Sequence, residues 1–286
     1  MKKLIPLVAV MVVVVLFSCQ KEYSLENGGN QGNSLIIGAD CRISKITYLD
    51  SASGMGKGSL TAMINLLDQT TDITKFDSLS ATIDFNSSLT YFSDTIYINP
   101  DEYFLVDVLT KHMRSFHGLV DPTVPGSLQF DASYVYDANN YLVQKIYTLT
   151  SLPGSPYFQV DYTYSDGNLV HMQSTELSTG DLVSDADMSY YTNISPKAYL
   201  YIFPDELAYS NFNQFLDFGK KSLNAIKNMK VRYYDPGNVL RDSTVSSFKN
   251  YVMSRDNYVM SVLMRGDDQF SIPADSSKLV FSYHCK

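Results

Sequence analysis

The chain has 286 residues, a formal net charge of −8, 45% hydrophobic residues and 18% charged residues. This composition is ordinary for a globular protein and excludes a chain that is disordered throughout. The excess of acid disfavours nucleic acids and anionic membrane surfaces as partners, because both reward clusters of Lys and Arg. The 22 Tyr and 15 Phe favour the pleated, half-buried surfaces of β-sheets, and the sequence contains no Trp.

The first 18 residues have the pattern of an export signal. Met1-Lys-Lys3 is basic, and residues 4–17 are apolar apart from Pro6. This stretch is too short for a stable membrane span. Leu16-Phe-Ser-Cys19 resembles the lipobox of bacterial lipoproteins, in which the cysteine thiol receives a diacylglycerol. Removal of residues 1–18 takes away two lysines and no acids, so the mature chain carries −10.

We predict that Cys19 becomes the lipid-bearing N-terminus, with an ordinary secreted protein as the alternative. Acyl chains contribute about 0.8 kcal/mol per buried CH₂, so two or three of them anchor a protein firmly. An Asp directly after the cysteine resembles an inner-membrane retention signal. Gln20 stands there instead, so we expect an outer-membrane lipoprotein that faces the periplasm or the exterior. Residues 19–40 include the Gly- and Asn-rich run 28–33 and predict a flexible tether.

From residue 41 to 286 the chain alternates apolar and polar residues between turn-forming clusters, as is typical of antiparallel β structure. The first predicted strand is 41–49, and the last are 248–253, 258–265 and 277–285. Residues 54–59 look like a phosphate-binding loop, but Gly58 follows the lysine where that motif needs Ser or Thr. We therefore predict an ordinary loop there.

Two hairpins are predicted most clearly, at 130–150 and 158–176. In the second, Phe158, Val160, Tyr162 and Tyr164 alternate with polar residues, and Ser165-Asp-Gly-Asn168 supplies turn residues that tolerate positive φ. The pattern Tyr-Asp-x-x-Asn-x-Leu occurs at 136–142 and again at 234–240. Because the spacing of the hairpins is not fixed, the pattern predicts a meander and not a counted repeat.

One helix is predicted at 205–218. Residues 204–206 (Pro-Asp-Glu) form a reasonable helix start, several apolar residues can share one face, and Gly219 is a natural stop. The predicted fold is mainly β. It is a single antiparallel meander that forms a curved sheet or a partly open barrel, with one short helix near 205–218.

The two cysteines that remain after Cys19 lie at the two ends of the predicted domain. Cys41 opens the first strand and Cys285 ends the last one, so an oxidising compartment favours a disulfide between them. The alternative is two free thiols. We expect no metal site, because nothing like Cys-x-x-Cys occurs, and no cofactor.

The residues that could carry catalytic chemistry do not form a recognised catalytic motif. We predict partly exposed strand positions for the four histidines, which are His112, His117, His171 and His284. No Gly-x-Ser-x-Gly nucleophile motif occurs. Asp185 with Asp187, and Asp267 with Asp268, are interpreted as solvated turn residues.

Two further residue patterns have both a binding and a structural interpretation. Residues 137–139 and 235–238 could supply oxygen ligands to calcium, but hairpin turns use the same residue types for backbone reasons. The tyrosines could form a sugar-stacking surface, and the alternative is cross-strand packing within the sheet. The structural interpretation is preferred in both cases.

The lipobox, the cysteine that opens the first strand, the repeated hairpins and the closing strand Phe281-Ser-Tyr-His-Cys285 together resemble a family of uncharacterised Bacteroidetes lipoproteins. Residues 218–224 (Phe-Gly-Lys-Lys-Ser-Leu-Asn) are similar to a recurring element of that family. The resemblance covers residues 41–286. It implies a domain of unknown function with a porin-like, antiparallel β architecture and hairpins similar to the YD repeats of Rhs-type proteins. It implies no catalytic residues.

The sequence therefore predicts a non-enzymatic cell-envelope lipoprotein, a monomer held to the membrane by its lipid anchor, that acts as a binding or scaffolding module. The expected ligand is a glycan, a lipid or another envelope protein. The alternative is a secreted hydrolase with acidic catalytic residues on the sheet, which a clustered pair of buried carboxylates would favour. A deep apolar cavity would favour lipid carriage, and a flat tyrosine-rich face would favour carbohydrate or protein.

Overall fold

The computed structural model describes residues 41–120, 126–150, 156–197, 210–266 and 276–285. All of them belong to the compact unit Leu35–Lys286. The predicted signal peptide and tether, with Cys19, lie outside the described residues, so the boundaries at 18 and 40 stay predictions. No helix in the described part of the chain is long and apolar enough to cross a membrane.

The described residues form seventeen strands and one short helix. The strands are β1 Cys41–Asp50, β2 Gly56–Ile64, β3 Thr70–Asp77, β4 Thr82–Ser88, β5 Thr90–Phe92, β6 Thr95–Asn99, β7 Glu102–Val106, β8 Met113–Leu119, β9 Gln129–Tyr136, β10 Leu142–Leu149, β11 Pro156–Ser165, β12 Asn168–Glu176, β13 Leu182–Tyr190, β14 Ile226–Asp235, β15 Val239–Met253, β16 Val259–Arg265 and β17 Ser277–Cys285. The helix, α1, is Ser210–Asn213 and lies between β13 and β14.

The strands form one antiparallel sheet that follows the order of the chain. β1 pairs with β2 on one side and with β17 on the other, so the sheet closes on itself. β4 pairs with β3, β5 pairs with β6, and Leu89 joins β4 to β5 in one bent strand path. The result is a nearly closed barrel, which confirms the predicted antiparallel meander.

The interior of the barrel is filled by side chains. In β11, Val160 and Tyr162 are buried, whereas Asp161 and Thr163 between and beyond them face the outside. The same alternation in the other strands places the buried residues in one hydrophobic cluster. Its largest fully buried side chains are Tyr48, Phe104, Phe212, Phe215, Phe248, Ile46, Leu60, Ile73, Leu142, Met172, Ile226 and Met229.

Because the strand direction alternates, every turn lies at one of two ends of the barrel. Cys41, Cys285 and the turns β2–β3, β5–β6, β7–β8, β9–β10, β11–β12 and β15–β16 lie at the same end, which we call the tether end because residue 40 joins the barrel there. The described residues between β13 and β14 also lie at the tether end. The turns β1–β2, β3–β4, β6–β7, β12–β13 and β14–β15 lie at the opposite end, the far end. This assignment decides which surfaces face the predicted lipid anchor.

Residues 210–225, which we call the crossing segment, close the tether end from within. Phe212 is fully buried and packs edge-on against Phe85 and Phe104, with ring centroids 5.5 and 5.4 Å apart. Phe218 also packs against Phe104, at 6.1 Å. The aromatic side chains of the segment therefore belong to the core of the barrel.

Hydrogen bonds to and from its backbone hold the crossing segment across the tether end. Arg42, at the start of β1, donates to the carbonyl of Phe215 at 2.5 Å, and the amide of Met113 donates to the carbonyl of Asp217 at 2.8 Å. Three further amides of the segment donate to carbonyls of the barrel: Lys220 to Asn140 (2.8 Å), Leu223 to Gly167 (3.0 Å) and Ala225 to Ile194 (2.9 Å). The partners lie on strands or turns from β1 to β13, so the segment is a cap held from several sides.

The structure corrects two local predictions. In the described part of the predicted helix, residues 210–218, the segment Ser210–Asn213 is helical, and residues 214–218 form turns and irregular loop because their backbone groups bond to the barrel. Residues 205–209 lie outside the described residues. The predicted loop 54–59 is a loop only as far as Met55, and Gly56 begins strand β2.

Candidate functional site

Cys41 and Cys285 form the predicted disulfide. They are directly opposite each other in the pairing of β1 with β17, with Cα atoms 4.1 Å apart. The bond joins the first and last strands where the barrel closes at the tether end. It is a structural link, since the Cys41 residue is buried and no longer carries a thiol.

Three histidines each lie against an aspartate through Nδ1. The distance to a carboxylate oxygen is 2.9 Å for His112, 2.7 Å for His117 and 2.8 Å for His171, and the partners are Asp217, Asp131 and Asp187. His117 and His171 lie on strands as predicted. His112 does not, because it lies in the β7–β8 turn, where it binds the crossing segment.

An extensive polar arrangement lies on the outer wall of β10 to β14. We call it the polar ladder, and it consists of Gln144, Gln159, Asp161, His171, Gln173, Asp185, Asp187, Arg232 and Tyr234. The strand register places these residues in neighbouring cross-strand positions on the face opposite the core. Five strands span about 20 Å at the usual spacing of about 4.8 Å. The ladder is therefore a row of hydrogen-bonding groups about 20 Å long across the barrel wall.

Arg232 holds one part of the polar ladder together. Its Nε donates to Asp185 at 2.5 Å, and its Nη2 donates to Asp187 at 2.6 Å. The hydroxyl of Tyr234 donates to the second oxygen of Asp185 at 3.1 Å, and His171 binds Asp187. Charge-assisted hydrogen bonds of this kind fix the orientation of planar side chains.

A second carboxylate anchors the other part of the ladder. Asp161 accepts hydrogen bonds from Gln144 at 2.8 Å and from Gln159 at 2.8 and 3.0 Å. Gln173 lies between the two parts, because the register pairs it with Asp161 on one side and Asp185 on the other. The ladder therefore continues across all five strands.

The electrostatics of the ladder disfavour acid catalysis. Partial burial alone would raise the pKa of Asp187, but hydrogen bonds from His171 and Arg232 outweigh it and leave the pKa below its ordinary value of 3.8. Hydrogen bonds to Asp185, and to a smaller extent to Asp187, raise the pKa of the Arg232 guanidinium. A general acid needs a carboxyl with a raised pKa. The lowered pKa of Asp187 beside Arg232 is the opposite arrangement.

The turn carboxylates act on the backbone. Asp137, a candidate calcium ligand in the sequence, accepts hydrogen bonds from the amides of Asn139 and Tyr141, both at 2.9 Å. This is the turn geometry that Asp favours for local reasons. In the described ranges, no group of three or more His, Cys, Asp or Glu residues could hold a metal ion.

Many aromatic side chains of the described residues are used in packing. Four tyrosine hydroxyls at the tether end donate to a carbonyl at the start of the preceding strand: Tyr136 to Met113 (2.7 Å), Tyr190 to Leu169 (2.8 Å), Tyr251 to Ile226 (2.7 Å) and Tyr283 to Val259 (2.5 Å). Burial raises the pKa of Tyr190 to about 12. These rings are bound within the sheet and do not form a flat exposed platform.

Two solved structures are similar to this barrel. A porin-like protein from Bacteroides uniformis aligns with a TM-score of 0.58 and 10% sequence identity, covering 85% of this chain and 98% of its own. A porin-like protein from Bacteroides vulgatus aligns with a TM-score of 0.51 and 15% identity, covering 86% and 99%. The shared property is the fold. Neither a protein-family model nor a curated protein matches the sequence.

The sequence singles out Asp185, Asp187 and His171 but does not bring them together. The prediction of solvated turn positions is wrong for Asp185 and Asp187, since both lie in strand β13, and Asp267 and Asp268 lie outside the described residues. The sequence pattern predicts no role for Arg232, Asp161 or the glutamines. The signal that was available is alternation, because Asp185 and Asp187 are two residues apart and must share one face of a strand.

Proposed function

We propose that this protein is a non-enzymatic lipoprotein of the cell envelope, held to the outer membrane through Cys19, whose barrel acts as a rigid binding module. The observation that carries the proposal is the filled interior. The inward side chains of the described strands form one cluster, and the crossing segment closes the tether end. This supports recognition on the outside of the barrel over passage or carriage of a ligand through its interior.

We propose the polar ladder as the binding face and a glycan as the ligand. A glycan presents many hydroxyl groups, each of which donates and accepts hydrogen bonds. The ladder offers carboxylate, amide, imidazole, guanidinium and phenol groups within one surface, and their mutual hydrogen bonds hold them in fixed orientations. Pre-orientation of this kind reduces the entropy lost on binding.

The charge of the ladder also supports a polar, uncharged ligand. The carboxylates of Asp185 and Asp187 pair with the Arg232 guanidinium, and Lys230 lies opposite Asp187 in the register. The Asp161 carboxylate accepts hydrogen bonds from Gln144 and Gln159. No strong field of one sign results. Nucleic acids and anionic surfaces reward a basic patch, which this face lacks.

The test is glycan binding by the purified chain 20–286 on an array of bacterial surface polysaccharides. We expect retention of at least one glycan by the unchanged protein and a loss of at least about tenfold in affinity in Arg232→Met. Arg241→Met is the matched control, since Arg241 makes an exposed ion pair with Asp235 at 3.8 Å outside the ladder. Retention of no glycan, or equal binding by both variants, would contradict the proposal.

A further inference from the structure

Three successive turns at the tether end expose apolar side chains. Leu66 and Leu67 lie in the β2–β3 turn and are 104% and 77% exposed. Phe92, which leads into the β5–β6 turn, is 73% exposed, and Val108 and Leu109 in the β7–β8 turn are 63% and 92% exposed. We call these five residues the apolar rim. Scattered exposed apolar residues are ordinary, but a group on adjacent turns needs an explanation.

The apolar rim occupies one side of the tether end. Two strand widths, or about 10 Å, separate each of these turns from the next. The other described turns at this end are polar: Asp-Ala-Asn-Asn at 137–140, Ser-Asp-Gly-Asn at 165–168 and Ser-Arg-Asp-Asn at 254–257. The apolar side begins at β2. This strand pairs with β1, and β1 begins at Cys41.

Carboxylates in these turns have hydrogen-bond or ion-pair partners within the protein. The Asp107 carboxylate accepts hydrogen bonds from the amides of Leu109 at 2.9 Å and Thr110 at 2.7 Å, and the hydrogen bond from Thr110 contributes most to lowering the pKa of Asp107. Asp68 lies 3.8 Å from Arg42. The rim therefore presents apolar side chains, and its carboxylates have partners within the fold.

The position where the chain enters the barrel limits which surfaces lie near the predicted lipid anchor. The predicted tether 19–40 has 22 residues, and a flexible chain of that length would have an average end-to-end distance of about 25 Å. It ends at Cys41, beside the rim. The far end also exposes apolar residues, such as Leu79 at 69%, but a strand of eight to ten residues places it about 30 Å farther along the barrel.

We propose that the apolar rim rests in the interfacial layer of the bilayer that holds the N-terminal lipid, so that the barrel stands on its tether end. This rests on the proposed lipid anchor and adds a second, direct contact of the folded domain with the membrane. Leu and Phe side chains are typical of such interfacial contacts. The polar ladder and the far end then remain free for a ligand.

The absence of Trp from the sequence gives a clean optical test, since one introduced Trp is the only one present. Leu66→Trp and Leu109→Trp report on the rim, and Leu79→Trp is the matched control at the far end. Each variant of chain 20–286 carries an N-terminal hexahistidine and is bound to phosphatidylcholine vesicles that contain a nickel-chelating lipid. This attachment replaces the acyl anchor, so the result does not depend on lipidation.

We expect blue-shifted emission and quenching by brominated phosphatidylcholine for Leu66→Trp and Leu109→Trp, and solution-like emission for Leu79→Trp. In a second measurement without nickel lipid, the double variant Leu66→Ser/Leu109→Ser should partition into the vesicles at least about tenfold less than the unchanged chain, while Leu79→Ser partitions equally. Circular dichroism confirms that each variant is folded. Equal water exposure of all three tryptophans, or equal partitioning of the serine variants, would overturn the proposal.

Discussion

Removal of the disulfide between Cys41 and Cys285 should destabilise the barrel strongly. The bond closes a loop with a sequence separation of 244 residues. In the chain-entropy treatment, a loop of that length restricts the unfolded chain by about 5.5 kcal/mol, and removal of native disulfides in smaller proteins costs about 2–5 kcal/mol. The free energy of unfolding of Cys41→Ala/Cys285→Ala should therefore fall by an amount in that range.

Urea unfolding followed by circular dichroism measures this change. With a slope of about 3 kcal/mol per M, a loss of about 2–5 kcal/mol lowers the midpoint by about 0.7–1.7 M. The reduced, unchanged chain should unfold at the same midpoint as the double variant, because both lack only the covalent link. The register pairs β1 with β17 at nine positions, and one of these is the pair of cysteines. A midpoint within about 0.2 M of the oxidised chain would show that the non-covalent strand pairing alone closes the barrel, and would refute the reasoning.

Three further changes test the core, the cap and the polar ladder. Phe212→Ala empties a fully buried position in the crossing segment and should cost about 3–5 kcal/mol in urea unfolding, whereas Phe92→Ala, at an exposed position, should change stability by less than about 0.5 kcal/mol. Gly219→Ala should lower the thermal midpoint more than Gly180→Ala does. Both glycines have positive φ, but of the two only Gly219 would place the added Cβ 2.5 Å from a backbone oxygen. Equal thermal midpoints would contradict this. The pKa of Asp187 is lowered in the folded state, so its contribution to stability is present above pH 3.8 and is lost as the pH falls below that value. In Asp187→Asn the free energy of unfolding should therefore fall less steeply on the acid side of a plot against pH. An unchanged acid side would contradict this.

The hairpins could be predicted because their information is local. In 158–176 the period-2 alternation and the Ser-Asp-Gly-Asn turn fall within one short stretch, and the observed strands are Pro156–Ser165 and Asn168–Glu176. The repeated Tyr-Asp-x-x-Asn-x-Leu pattern shows the limit of such local information. Its two copies form turns at opposite ends of the barrel, and Tyr136 packs against the core while Tyr234 joins the outer wall.

The crossing segment could not be predicted because distant contacts determine its conformation. The spacing of its apolar residues fits a helix, and the competing effect is tertiary. Arg42 and Thr70 both donate to the carbonyl of Phe215 from 173 and 145 residues away, which removes that carbonyl from helical hydrogen bonding. Side-chain burial against the barrel then outweighs the local helical preference.

The polar ladder depends on strand register, which the sequence does not state. Arg232 meets Asp185 and Asp187 from positions 47 and 45 residues later in the chain. A shift of β14 by one residue would turn the arginine toward the core and separate it from both carboxylates. Alternation along one strand identifies residues that share a face, but the partners across strands follow only from the closed sheet.

The intact mass of the protein purified from its own envelope fraction tests the central claim most directly. We predict a chain that begins at Cys19, carries the added mass of a diacylglycerol and an acyl chain, and lacks two hydrogens because of the disulfide. A chain of unmodified mass that begins at another residue would contradict the account, since the barrel would then have no lipid anchor at its tether end.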